Sequence, residues 1–228
     1  MNRFAALLLP LLALGASPAL ADAVVETVEV TEVVSTDAIS TGGSERYVVS
    51  TPALVPQGIA RFGPFRVLDG SRAALVDVTD THSPAQFEAM LRAFPGISLI
   101  EMIDCPGTED DRANLKLGRM IHARQITTYV PQGGSVRSGG VELFLAGKQR
   151  IADPGAEFAV HSWADEDGRE AKDYPANAPE NRAYLDYYAE MGMSAGQAKA
   201  FYAMTNSVPF DDARWLTAQD MGKWVALN

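Results

Sequence analysis

Gly133–Trp163 reads GGSVRSGGVELFLAGKQRIADPGAEFAVHSW, and the order of its segments decides the fold. Gly133, Gly134, Gly139 and Gly140 surround Ser138, an apolar run follows from Val141 to Ala146, then a basic turn, then a strand-like segment that ends in His161. A serine flanked by glycines at the mouth of a helix lets a substrate carbonyl approach the backbone, and free N–H groups there can hold a developing oxyanion. Between Ser138 and His161 lies enough chain for a helix, a turn and a short return strand. The two side chains can therefore meet in space, and serine with histidine is half of a nucleophilic triad.

Working upstream, Phe65–Leu68, an Asp69-Gly70 turn and Ala73–Val78 read as two strands around a tight turn. Ser83 is placed to cap a helix with Pro84 at its first position and Phe87, Met90, Leu91 and Phe94 at helical spacing. Pro95-Gly96 stops that helix, and the almost wholly apolar Ile97–Ile103 reads as a central strand of a parallel sheet. Strand, helix and strand with short connections make a βαβ unit. Asp104-Cys105-Pro106-Gly107-Thr108 closes the strand at the end where α/β sheets bind ligands. A second helix is expected over Asp110–Ala123 and a third strand over Thr127–Val130, so Thr108 and Ser138 both fall at the carboxyl ends of successive strands. Downstream, Ala164–Pro179 is a polar loop that could flank the site. Helices are expected at Glu180–Met191 and Ser194–Thr205, their aromatic stripe (Tyr184, Tyr187, Tyr188) packing against the domain. A last helix is capped by Thr217, with Asp220 at its third position.

This ordered set resembles the Clp protease proteolytic subunit and its crotonase-like relatives, in particular predicted periplasmic members. The residues that carry the resemblance are Ser138, Ala146-Gly147, Arg150 and Phe158-Ala159-Val160-His161, together with Ile100–Thr108, IEMIDCPGT, and Trp215–Asp220. The likeness runs from about Phe65 to Leu227. It implies an α/β fold, a spiral of repeated β-β-α units with a helical C-terminal part, and a serine hydrolase, most naturally a peptidase. Carried over residue by residue, Ser138 is the nucleophile and His161 the general base, while the backbone N–H groups of Thr108 and Gly139 form the oxyanion hole; Asp212 serves as the orienting carboxylate if its turn is one residue longer than the family's. The chain departs from the family pattern in two places. Thr108 stands where the family has a second turn glycine, and Ala213 stands where it has the triad aspartate, with Asp211 and Asp212 just before. Asp165 or Asp167 could substitute, or the site could run as a dyad. The same departure makes a catalytically inactive binding or assembly module the alternative function.

Other nucleophiles compete less well. Cys105 aligns with the structural serine of the family's Ser-Pro-Gly-Gly turn, and nothing near it in sequence is suited to lower its pKa. A Ser–Lys dyad would need Lys148, at the far end of the helix after Ser138, or Lys172 in the polar loop. His82 and His122 have no metal-type partners at close spacing, so neither a zinc site nor any cofactor is expected.

Composition sets the outer bounds. The chain has 228 residues, 47% hydrophobic and 21% charged, enough for one domain with its own core. A formal net charge of −10 repels phosphate backbones and anionic lipid heads, which disfavours nucleic-acid and membrane-surface binding. Residues 1–21 have the anatomy of a signal peptide: Arg3, an apolar core from Phe4 to Leu14, and Ala19-Leu20-Ala21 as the cleavage site. Cleavage after Ala21 implies a periplasmic or secreted protein with no membrane span, acting on a peptide or protein substrate. Export also separates the site from cytoplasmic acyl-CoA thioesters. Residues 22–63 read as an N-terminal arm and residues 64–228 as the domain, with one cysteine and hence no internal disulfide. Oligomers are common in the resembled family, which raises the expectation of a homo-oligomer.

Overall fold

The computed structural model of the chain describes Gly43, Ser44, Arg46 and residues 51–228. The expected signal peptide and most of the expected arm lie outside the described residues, which all belong to a unit beginning at Asp37. The strands and helices follow in the order β1 (Ala60–Phe62), β2 (Phe65–Val67), β3 (Arg72–Leu75), α1 (Ser83–Ala93), β4 (Leu99–Met102), β5 (Asp104–Cys105), α2 (Asp111–Ala123), β6 (Thr127–Val130), β7 (Ser135–Arg137), α3 (Gly139–Leu145), β8 (Arg150–Ala152), β9 (Glu157–Val160), α4 (Pro179–Glu190), α5 (Ala195–Thr205), β10 (Arg214–Thr217) and α6 (Ala218–Gly222).

These strands make two sheets. One has the order β1-β2-β3-β4-β6-β8 and the other β10-β9-β7-β5. In the first, β3, β4, β6 and β8 run parallel; in the second, β5, β7 and β9 run parallel and β10 joins antiparallel. Each turn of the chain therefore gives one strand to the large sheet and the next to the small sheet, and β4-β5-α2 and β6-β7-α3 each return through a helix. That alternation is a mixed α/β spiral of β-β-α repeats, with α4 and α5 forming a helical C-terminal part. Among the described residues no helix is long and apolar enough to cross a membrane.

Local chemistry explains most of the elements. The β2–β3 hairpin is held by the Asp69 carboxylate, which accepts from the Ser71 N–H and the Arg72 N–H, an Asx-type turn that presets the reversal. β4 lies between β3 and β6, the central place its apolar sequence predicts. Asp110 caps α2 through the Ala113 N–H, and Ser194 and Thr217 cap α5 and α6 in capping boxes with Gln197 and Asp220. At α1 the expected cap differs. His82 occupies the N-cap position without a side-chain bond, and the Ser83 hydroxyl donates to Asp80, which also accepts from the His82 N–H. α3 is buried at every residue; Phe144 on it packs against Phe158 of β9 with ring centroids 4.9 Å apart, locking the helix to the strand that leads to His161. β1 extends the large sheet into residues 60–62, so that sheet begins inside the stretch read from sequence as arm.

Candidate active site

Three loops leave the carboxyl ends of β5, β7 and β9, which are adjacent and parallel. They carry Gly107 and Thr108, Ser138 and Gly139, and His161. Parallel register alone brings them together: Arg137 lies opposite Ala159, and the Ser138 N–H donates to the Ala159 carbonyl at 2.8 Å. Ser138 and His161 thus follow directly from neighbouring strands, and both line a cavity of about 380 Å³ together with Thr108 and Gly139.

Ser138 has φ 48° and ψ −129°, a left-handed conformation that costs a non-glycine residue about 1–3 kcal/mol and persists only where surrounding structure demands it. Its hydroxyl does not cap α3, although capping is the usual employment of a serine in this position. Ser138 instead lines the cavity. Gly107, at φ 133°, is what permits this: a Cβ there would stand 2.9 Å from Ser138 Cβ and 3.3 Å from its Oγ. Gly139 likewise has no room for a side chain, since a Cβ would meet Thr108 Cγ2 at 2.6 Å. The glycine of each turn is therefore pressed against a side chain of the other, Gly107 against Ser138 and Gly139 against Thr108.

Buried polar groups fix that contact. Asn114 on α2 is 2% exposed; its amide donates to the Gly139 carbonyl at 2.7 Å and its oxygen accepts from the Thr79 hydroxyl at 2.9 Å. The Thr79 N–H donates to the Gly107 carbonyl and the Glu109 N–H donates to the Thr79 carbonyl. A parallel bridge of this pattern spends the groups flanking Thr108 on Thr79 and turns the Thr108 N–H to the opposite side. The Gly139 N–H is the first of α3, without an acceptor inside its helix. The threonine at 108 leaves its own amide in place, and its hydroxyl donates back to the Thr79 or Asp110 carbonyl.

His161 Nδ1 lies 2.8 Å from the Ser162 carbonyl oxygen. A carbonyl only accepts, so Nδ1 carries the proton and Nε2 is left with its lone pair, the tautomer a general base requires. The carbonyl is itself held: the Ser162 N–H donates to the Val208 carbonyl at 2.8 Å, its hydroxyl to Asn206 Oδ1 at 3.1 Å, and the residue is 1% exposed. Phe210 meets the imidazole edge-on, ring centroids 5.1 Å apart.

Asp212 is placed elsewhere. It is exposed, its carboxylate accepts from the Gly43 N–H at 2.9 Å and the Ala213 N–H at 2.7 Å, and it is not among the described residues that line the cavity. The physical reason is local: an aspartate that accepts from its own neighbour's amide in a turn has its oxygens committed before any distant partner is reached. Asp165 is similarly committed, to Tyr174, Arg169 and the amides of its own loop. Lys172 pairs with Glu170. The Cys105 thiol is buried, which pushes its pKa up and keeps it neutral. No group of three or more metal-type side chains occurs among the described residues.

The cavity is lined by three carboxyl groups, those of Glu109, Asp111 and Glu142, that no pattern in the amino-acid sequence singled out. Glu142 is one helical turn after Ser138, is 7% exposed and accepts from the Tyr188 hydroxyl at 2.8 Å. Burial pushes its pKa up to about 7; the tyrosine bond opposes that rise and the charge of Asp111 adds to it. Asp111, first residue of α2, is exposed and lines the same cavity. Its carboxyl is raised by the protein mass around it and by Asp110, against the pull of Tyr184 and of His161. Tyr184 and Tyr188, expected to be packing residues, do pack in the helical part but also line this cavity with Tyr202.

The fold thus defines a mixed α/β spiral with a strained serine and a tautomer-fixed histidine at the carboxyl end of the parallel strands of its smaller sheet. No protein-family model matches the chain, and no curated protein sequence does. Solved structures do resemble it. A mutant of the 1510-N membrane-bound stomatin-specific protease in complex with a substrate peptide matches at TM-score 0.45 and 17% identity, over 66% of this chain and 72% of that one. A second mutant of the same protease matches at 0.46 and 16%, over 68% and 76%. A mutant of ClpP1 from Listeria monocytogenes matches at 0.45 and 20%, over 68% and 87%.

Proposed function

We propose that the protein is a serine hydrolase, most naturally a peptidase. The observation that carries this reading is the strained backbone of Ser138, whose hydroxyl shares one cavity with His161 and with the turns bearing Thr108 and Gly139. In the proposed reaction Ser138 Oγ attacks the substrate carbonyl carbon while His161 Nε2 takes the hydroxyl proton. The N–H groups of Thr108 and Gly139 stabilise the charge that develops on the carbonyl oxygen. His161 then returns the proton to the leaving amine, and a water molecule repeats the sequence on the acyl-enzyme. The Ser162 carbonyl takes the orienting role that the family resemblance assigns to Asp212. A carbonyl sets the tautomer as a carboxylate would, and stabilises the imidazolium less, because it carries no full charge. A fluorophosphonate probe tests the proposal: labelling of the wild type that disappears in Ser138→Ala supports it, and a wild type that does not react at neutral or mildly alkaline pH overturns it.

The commitment of Asp212 to backbone amides favours one second reading, an inactive binding or assembly module. It expects no labelling in either protein.

Two further parts of the proposal stand on the amino-acid sequence. Export with cleavage after Ala21 is checked by sequencing the mature N-terminus, which should begin at Asp22. Self-association is checked by sedimentation, which should show a species heavier than one chain.

A further inference from the structure

The cavity beside Ser138 has a charge imbalance that its structural role does not explain. Glu109, Asp111 and Glu142 line it, and among the described lining residues no lysine or arginine faces them; His161 is the one basic side chain. None of the three carboxyl groups takes part in an ion pair among the described residues, although eleven such pairs occur elsewhere. A buried carboxyl without a cation holds a proton or awaits a positive partner. A cluster of tyrosines lines the same cavity beside the acids. Tyr184, Tyr188 and Tyr202 lie with mutual ring-centroid distances of 5.8, 6.3 and 6.5 Å. The Tyr188 and Tyr202 hydroxyls are tied off on Glu142 and Asn181, so these rings are held in place, Tyr188 buried and Tyr184 and Tyr202 partly buried. Tyrosine faces attract cations and also cover aliphatic stems.

We propose that this cavity receives a cationic side chain, lysine or arginine, on the acyl side of the bond that Ser138 attacks. The stem would run along the tyrosines, and the charged head would meet Asp111 near the mouth and Glu142 at depth. The inference rests on the serine hydrolase reading and adds a substrate class to it. Proximity supports it, since Glu142 sits one turn along the same helix from the nucleophile, so a group held there is a fixed distance from the reacting carbonyl. The titration of Glu142 is consistent: an arriving cation supplies the charge that burial and Asp111 withhold.

The test uses two α-aminoalkyl diphenyl phosphonates that differ only in carrying a lysine or a norleucine side chain. In each, Ser138 Oγ forms a bond to phosphorus, one phenoxide leaves, and the serine proton departs with it as phenol by way of His161. Expected is labelling by the lysine probe about ten-fold faster or more than by the norleucine probe. That ratio should fall toward one in Asp111→Asn and in Glu142→Gln; a purely structural role would slow both probes alike. Equal rates in the wild type, with a fluorophosphonate still labelling Ser138, overturn the cation pocket and leave the hydrolase. If no probe reacts, the hydrolase reading fails, and the pocket is decided by fluorescence anisotropy on the unlabelled wild type. Tighter binding of a lysine-containing hexapeptide than of its norleucine twin supports the pocket, and equal affinity overturns it.

Discussion

The two ends of the smaller sheet are built from the same three strands and treat charge in opposite ways. At their starts, Asp104, Ser135 and Glu157 lie in register across β5, β7 and β9, beside a second cavity of about 570 Å³. Both acids there are neutralised. Arg46 Nε donates to Glu157, which is 3% exposed, at 3.1 Å, and Arg137 bridges Asp104 at 2.9 Å and Ser135 at 2.7 Å. At the strands' other end lie the strained serine and the acids without ion pairs. One end spends its charges on holding a neighbouring segment and its own strands together. The other keeps its acids without ion pairs, Glu142 held instead by the Tyr188 hydroxyl, which leaves burial to raise its pKa.

This contrast can be broken by four measurements. The largest effect is expected from Ser138→Ala, which should remove turnover by a factor on the order of 10⁶ while the fold persists, since triad nucleophiles act as a unit with their base. Any substrate cleaved by the wild type reads it out.

Next comes the pH dependence of stability. The Glu142 carboxyl is raised from an ordinary 4.5 to about 7, so the folded state binds its proton more tightly than the unfolded chain does. Its protonated form is therefore undisturbed below about pH 4.5, and stability is lost as pH rises from there through about 7. The loss should approach about 3 kcal/mol. Asp111, Tyr184, Tyr187 and Tyr188 are the titratable groups that act on Glu142 or are acted on by it. Denaturant melts of Glu142→Gln across that range should show a shallower slope than wild type.

At the opposite end, Arg46→Ala should leave Glu157 buried without its partner. A fully buried pair broken this way loses about 3–5 kcal/mol; Arg46 is half exposed, so a loss of about 2 kcal/mol is expected, read as a lower denaturation midpoint at neutral pH. The smallest effect belongs to Asp111→Asn, which removes no ion pair and should change stability by less than about 0.5 kcal/mol. If Asp111→Asn proved as costly as Arg46→Ala, the acids of the site would be structural, and the distinction between the two ends would fail.

The parts of the molecule visible in the linear chain are those with local causes. Thr127–Val130 is a strand with the limits its composition predicts. Thr217 and Asp220 form the capping box that their three-residue spacing announces. The apolar Ile97–Ile103 is central in a parallel sheet. By contrast β5 and β7, of two and three residues, are too short for any alternation to register, yet they set the positions of Thr108 and Ser138. Asn114 reads as one more residue of an amphipathic helix; its tie to Gly139 exists only because α2 packs beside the serine turn. Glu142 sits inside an apolar run and looks like a surface interruption. It is buried because α3 is enclosed on all sides.

The amino-acid sequence by itself determined the alternation of strands and helices, the glycine-rich turns and the candidacy of Ser138 and His161. Periodicity, caps and backbone freedom are properties of neighbours along the chain. The tertiary structure alone decided that a carbonyl of Ser162 holds the imidazole, that Asp212 is engaged on amides of Gly43 and Ala213, and that Asp111 and Glu142 share the serine's cavity. Those outcomes turn on distances and burial between residues far apart in the chain, and charge responds to its surroundings in space.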